Sequence, residues 1–305
     1  MKTAHAGLTI GMVTAMISLV TPSSAQDLEP RAYSSSPVGL NFLVASVGRS
    51  TGGVLVDQSL PIENVNAELN VVATGYGRTF ALFGRSALAV VVLPYVWAEA
   101  TGQIAEETRS ATRSGLADAR VKVSVNLFGN AALQPAEFVR SRPRSIVGAS
   151  VTVVPPTGQY YPTKLINLGA NRWAFKPEVG ISYPTGRWTI EGYAGIWFFT
   201  ENDEFYTGSS LRQQDRVFAL QGHLSYTVRP QLWLAFDGTW YSGGTTTVDQ
   251  VRKADLQRNS RVGGTMSFPL SRGHSLKVTY STGATTRLGT DFDTMAVAWQ
   301  YTWLD

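Results

Sequence analysis

The sequence predicts an all-β fold, a transmembrane antiparallel up-and-down β-barrel of about twelve strands. Three observations carry this. Residues 291–303 alternate with a period of two: Met295, Val297, Trp299, Tyr301 and Trp303 share one face, and Ala296, Ala298, Gln300 and Thr302 share the other. That period is a strand's, and aromatics gathered toward the strand end suit a lipid-facing strand whose rings sit at headgroup level. The chain is 44% hydrophobic, with 29 Gly, 8 Trp and 12 Tyr, and only 16% charged, against about 25% charged in an ordinary globular domain. Beyond the first twenty residues no apolar run reaches the roughly 20 residues that a spanning helix needs.

The N-terminus reads as a cleaved secretory signal over residues 1–25. Lys2 and His5 precede an apolar run from Leu8 to Val20, and small residues stand at Ser23 and Ala25. The run is too short for a membrane anchor. Lys2 is the charged residue of this segment, so its removal lowers the formal net charge from +4 to +3. Weak basicity spread along the chain gives no case for nucleic-acid binding. Cysteine is absent, which excludes disulfides and thiolate metal sites. No cofactor is expected.

Residues 26–305 form the barrel domain. Alternating segments fall at 37–48, 65–76, 86–98, 115–128, 144–155, 172–183, 187–199, 215–228, 230–241, 259–268, 274–283 and 292–303. Each is about as long as a tilted spanning strand. Tight Pro- and Gly-rich turns at 183–187, 228–230 and 270–274 alternate with long polar loops at 49–64, 99–114, 156–171, 200–214, 242–258 and 284–291. Outer-membrane barrels place short turns in the periplasm and long loops outside. An even strand number puts both termini in the periplasm. Residues 129–143 are long for a periplasmic turn, so counts of ten or fourteen stay open.

Girdle spacing gives an independent check. Trp188 and Phe198 share a face ten residues apart, which at ~3.3 Å per residue and ~40° tilt spans roughly 25 Å, the height of such a barrel's apolar band. Trp173 and Tyr183 repeat the spacing, and Trp233 with Trp240 and Tyr241 brackets the strand at 230–241. Pro94 and Pro177 each remove a ladder donor inside a strand, so a local bulge is expected at both.

With apolar faces turned to lipid, the inward residues follow by parity. They are Glu68, with Asn70 and Thr74; Asp118, Arg120 and Lys122; Lys176 and Glu178; Glu191 with Tyr193; His223 with Gln221 and Ser225; then Asp237, Arg261 and Lys277. Charges of both signs therefore point into the lumen. They either fill and cross-link a narrow barrel, since buried charges need partners, or line a polar path that selects a solute. A catalytic reading, an outer-membrane lipid hydrolase, would rest on His223 and Ser225 as base and nucleophile. Their parity turns them away from lipid, and no Gly-rich nucleophile turn accompanies Ser225, so no catalytic residue is assigned. Glu201, Asp203 and Glu204 lack the regular spacing of a calcium loop, and no metal site is expected.

Four C-terminal motifs occur in order: Trp233-Leu-Ala-Phe-Asp-Gly-Thr-Trp-Tyr-Ser-Gly-Gly244, Asn259-Ser-Arg-Val-Gly-Gly-Thr-Met-Ser-Phe-Pro-Leu270, Leu276-Lys-Val-Thr-Tyr-Ser-Thr-Gly283, and Thr286-Arg-Leu-Gly289 with Asp291-Phe-Asp293. This third of the chain resembles the outer-membrane transporters named for the meta-pathway of phenol degradation. The resemblance is good over 230–303 and looser upstream to residue 37. It implies a barrel in the outer membrane of a Gram-negative bacterium that passes small organic solutes, aromatic or hydrophobic. Its partners would be outer-membrane lipid, the solute and the barrel-assembly machinery. The matching residues Arg261 and Lys277, inward on adjacent strands, are expected to form a basic patch opposite Asp237. A structural or adhesion barrel with a plugged lumen is the alternative. The ending Trp303-Leu-Asp305 departs from the terminal aromatic of typical bacterial barrels.

Overall fold

A computed structural model describes residues 28–53, 63–104, 107–164, 166–286 and 291–305; the expected signal lies outside them. The barrel wall runs through β1 (Leu40–Gly53), β2 (Glu63–Leu82), β3 (Arg85–Ile104), β4 (Glu107–Leu116), β5 (Arg120–Phe128) and β6 (Ile146–Val154), with a short helix α1 (Pro135–Phe138) before β6. It continues through β7 (Ala174–Thr185) and β8 (Trp188–Phe199). Two loop strands intervene, β9 (Asn202–Phe205) and β10 (Ser210–Gln214), before β11 (Val217–Arg229) and β12 (Leu232–Gly243). Two more, β13 (Thr246–Val248) and β14 (Val251–Arg252), precede β15 (Gln257–Ser271), β16 (His274–Thr286) and β17 (Asp291–Leu304).

Each wall strand pairs antiparallel with its neighbour, and β1 pairs along its whole length with β17. The wall therefore closes on itself. β4 and β5 both pair with β3 and make one broken stave, which gives the twelve-stave barrel predicted. The seam is tied at its periplasmic end, where Asp305 accepts from Asn41 Nδ2 at 2.8 Å and is ion-paired with Arg78.

The break in the fourth stave sits opposite Pro94. Val92 pairs with Arg120 but Tyr95 pairs with Leu116, so residues 117–119 bulge where the ladder lacks the Pro94 donor. The expected bulge is present there. At Pro177 it is not: β6 and β7 keep one register through Val151↔Pro177. The β7–β8 ladder is instead unpaired between Phe175↔Phe198 and Glu178↔Gly195, with its register unchanged. One missing donor is absorbed as a skipped rung, without an extra residue.

Three of the expected polar loops carry strands. The 99–114 region extends β3 and β4 as a hairpin, and the loops at 200–214 and 242–258 pair with each other as a four-stranded sheet in the order β14-β13-β10-β9. Their outward faces meet water and their buried positions are mostly small or polar, such as Ala100, Asn202 and Thr246, so their sequences lack the strong apolar alternation that marks a half-buried strand. The loop after β6 is held to the broken stave by Asp118, whose carboxylate accepts from Gly158 N and Ala170 N, each at 2.8 Å.

The outer face carries the apolar band. Val179, Ile181, Ile190, Leu220, Phe236 and Met295 are exposed between rings near the strand ends: Tyr183 and Trp188 on the periplasmic side, Trp97, Trp173, Phe198 and Trp240 on the other. Trp233 and Tyr241 do not belong to the girdle. Both point inward and are 2% and 1% exposed, because the outward parity of β12 runs Leu234, Phe236, Gly238, Trp240. Phe236→Arg would put a cation at the lipid face near mid-strand and should destabilise folding into vesicles by about 2–4 kcal/mol. An equilibrium unfolding series, with heat-modifiable gel migration as the folding readout, measures this. Unchanged stability would mean the face meets water.

Candidate functional site

The inward face is where the strands bring chemistry together. Arg120 and Lys122 (β5), Lys176 and Glu178 (β7), Glu191 (β8), His223 (β11), Asp237 (β12), Arg261 (β15) and Lys277 (β16) all point into the lumen, as their parity predicts. Asp237 is fully buried and Lys176 is 1% exposed. Charges this deep need partners. Glu178 accepts from Lys176 at 3.0 Å, and Lys122 lies 3.7 Å from its other oxygen. Lys176 and Arg120 also stand over the Trp197 ring, at 5.4 and 6.0 Å from its centroid.

Glu68 is a correction. It points outward with Asn70 and Thr74, while Leu69, Val71 and Ala73 turn inward. The parity assignment assumed that the apolar face meets lipid. Here Leu69 and Val71 pack inside against Val96, Ala98, Ala117 and Phe292, with Leu168 from the loop after β6. Glu68 bonds Arg49 at 2.7 Å on the exposed outer face, on the extracellular side of Trp97. The basic patch is a second correction. Lys277 pairs across with Ser267, six residues from Arg261 along β15, roughly 20 Å at strand rise. Arg261 is held near the outer mouth, donating to Phe292 O at 2.5 Å and Ser281 Oγ at 3.0 Å, whereas Lys277 has Glu29 and Asp237 as electrostatic neighbours.

His223 lies between two acids in one cross-strand row, opposite Glu191 on β8 and Asp237 on β12. Its Nδ1 is 2.8 Å from Asp237 Oδ1, and Thr265 donates to Oδ2 at 2.7 Å. A carboxylate only accepts, so Nδ1 carries the proton. Nε2 of His223 and Oγ of Ser225 are buried and have no hydrogen-bond partner among the described residues.

Residues 28–39 lie between the expected signal and β1; sequence reasoning assigned 28–36 no role and placed 37–39 in the first expected strand, which instead begins at Leu40. They enter the lumen from the periplasmic end. Pro37 O accepts from Thr79 Oγ1 at 2.6 Å and Val38 N donates to Leu133 O at 2.9 Å. Further in, Arg31 N donates to Glu191 Oε2 at 2.7 Å, Ala32 N to the Tyr193 hydroxyl at 3.2 Å and Glu29 N to Gln221 Oε1 at 3.3 Å. Glu29 is ion-paired with Lys122, and the Arg31 guanidinium stacks 4.5 Å over Trp233. The buried wall charges are thus neutralised partly by one another and partly by this segment.

Asp237→Ala would strand the His223 Nδ1–H and the Thr265 hydroxyl. Each orphaned buried group costs about 1–3 kcal/mol. Asp237→Asn retains one acceptor and should lose roughly half as much in the same denaturant series. Equal losses would mean the carboxylate's two bonds contribute little.

No curated protein sequence matches the chain. Among solved structures, the barrel is similar to an outer-membrane channel from Pseudomonas putida F1, with TM-score 0.74 and 19% identity over 93% of this chain and 100% of that one. It is also similar to the β-domain of the Bordetella autotransporter BrkA, with TM-score 0.52 and 11% identity over 87% and 100%. The deltaS2 mutant of the monoaromatic hydrocarbon channel TodX gives TM-score 0.50 and 10% identity over 90% and 93%. These share the barrel fold. The profile of the family described as "Putative MetA-pathway of phenol degradation" matches residues 46–298, most of the chain, and the protein belongs to that family.

Proposed function

We propose that this protein is an outer-membrane channel for small organic solutes, exported by its N-terminal signal and inserted by the barrel-assembly machinery. One observation carries the reading: a closed barrel whose buried interior is charged and polar, so that the wall offers hydrogen-bonding chemistry along its axis instead of a plain apolar core. Twelve staves lie between eight, whose side chains fill the interior, and sixteen, which open a wide aqueous pore. Membership of a phenol-degradation family and the fold shared with a monoaromatic hydrocarbon channel support an aromatic or hydrophobic solute. The lumen-lining set is Arg120, Lys122, Lys176, Glu178, Glu191, His223, Asp237, Arg261 and Lys277.

Two observations favour a second reading, a plugged barrel with a structural or adhesive role: residues 28–39 occupy the lumen, and the loops β9–β10 and β13–β14 form a sheet of their own. Solute flux in liposomes and ion selectivity in planar bilayers separate the two. Arg261→Glu and Lys277→Glu probe two depths of the path. Each should move selectivity toward cations, since reversing a charge in a narrow pore changes the local field strongly. Conductance with unchanged selectivity would take that residue out of the path. Absence of both conductance and uptake in well-folded protein would favour the plugged barrel.

Catalysis is not part of this reading. His223 and Ser225 face the lumen, whereas a hydrolase of membrane lipid needs its site at the lipid face. His223→Ala is expected to leave any lipid turnover by purified protein unchanged, and loss of turnover would favour the enzyme.

A further inference from the structure

The channel reading leaves open what the lumen recognises, and Tyr33 supplies a chemical answer. Its side chain is a para-substituted phenol, 1% exposed, lodged in a fitted recess of the wall. Gly148 on β6 and Gly180 on β7 lie against the ring: a Cβ on Gly148 would fall 2.2 Å from Tyr33 Cδ1, and one on Gly180 2.3 Å from Cε2. No other residue type leaves room for the ring. Tyr193 packs edge-on, with centroids 5.1 Å apart at 75°, and Ile146 completes the apolar lining. At the far end the Tyr33 hydroxyl donates to Glu178 Oε1 at 3.2 Å and lies 3.1 Å from Ser150 Oγ.

Every group that contacts the ring and its hydroxyl here belongs to the barrel wall, apart from Ala32 beside it, whereas Tyr33 itself rides on a segment that joins no strand. The wall therefore carries a recess complementary to a phenol: flat glycine faces, an aromatic edge, and an ion-paired carboxylate at hydroxyl distance. The carboxylate is the discriminating element. A hydroxyl donating to it makes a charge-assisted hydrogen bond, and an arene without the hydroxyl would leave a buried acceptor of Glu178 unmet.

We propose that this recess is the solute-recognition subsite of the lumen, that its ligand class is a single-ring hydroxyarene, and that Tyr33 is the chain's own occupant, displaced when such a solute takes its place. This rests on the channel reading above. It assigns Gly148, Gly180, Ser150, Glu178 and Tyr193 as the residues that set specificity. It also gives residues 28–39 a role that joins the two readings: the segment closes the barrel until solute competes for the Tyr33 recess.

The test is p-cresol, the side chain of tyrosine as a free molecule, titrated calorimetrically into detergent-solubilised protein against protein-free micelles, with toluene in parallel. Tyr33→Ala should bind p-cresol at least about tenfold more tightly than wild type. It should also prefer p-cresol to toluene by about tenfold or more, the size of one hydrogen bond to a charged group. Adding Gly180→Val should abolish the binding by filling the recess. Equal p-cresol affinity in wild type and variant, equal affinity for toluene, or binding untouched by Gly180→Val overturns the proposal. Should Tyr33→Ala lose its heat-modifiable migration, Tyr33→Phe keeps the ring but gives Glu178 no hydroxyl. It should yield to p-cresol at about a tenfold lower concentration than wild type does, and an unchanged concentration overturns the proposal. Liposome flux of p-cresol keeps the two claims apart: recess binding without flux supports the subsite and counts against the channel, and flux without the binding preferences does the reverse.

Discussion

Inside hydrocarbon an unpaired backbone N–H or C=O has no water to turn to and costs several kcal/mol, so a chain without long apolar helices can cross only as a closed sheet. The pairing of β1 with β17 meets this constraint, and the rest of the architecture follows from it. Once the sheet is closed, one face of every stave must meet lipid and the other the lumen, and the period-two sequence sorts side chains between them. The places where the wall departs from regularity show how little slack closure leaves. Pro177 costs a rung and Pro94 costs a break, and the break is then covered by the loop that Asp118 holds.

Closure also creates the interior's electrostatic problem. Nine charged or titratable residues predicted for the lumen do point there, in a space narrow enough to leave several almost wholly buried. Isolated, each would carry a large desolvation penalty. The observed remedy is short-range: Lys176 with Glu178, His223 with Asp237, Glu29 with Lys122. The last of these pairs is instructive, because one partner lies on the wall and the other on a segment outside it. The inner polar belt and residues 28–39 are thus one unit. A channel built this way is closed at rest by its own chain, and its recognition chemistry is occupied by that chain's own donors and by the Tyr33 phenol.

The twelve-stave count, girdle positions such as Trp188 and Phe198, and the inward parity of residues such as Lys176 and Asp237 were legible in the sequence, because alternation is a local property and a closed barrel applies it everywhere. Parity misled where its premise failed. At Glu68 the strand has risen beyond the apolar band, so the apolar residues turn inward against Phe292 and Leu168 and the charge turns out to water. At Trp233 an aromatic was read as a girdle anchor, although its inward face packs beneath Arg31.

What lay beyond the sequence was registration across strands and the path of unpatterned chain. Arg261 and Lys277 share an inward face on neighbouring strands, yet the pairing of Lys277 with Ser267 sets them far apart in depth, and no local pattern encodes that offset. Residues 28–36 have no alternation to read, and 37–39, placed by alternation in the first expected strand, contribute no rung to the ladder. Their place in the lumen, and the fit of Tyr33 onto Gly148 and Gly180, arise from contacts far apart in the chain. Which stave residues share a face is written locally in the chain, because it follows from the pleat, although which of the two faces meets lipid was misread at Glu68. What meets what inside is not local: it depends on strand register and on a segment whose conformation is set by the cavity it enters.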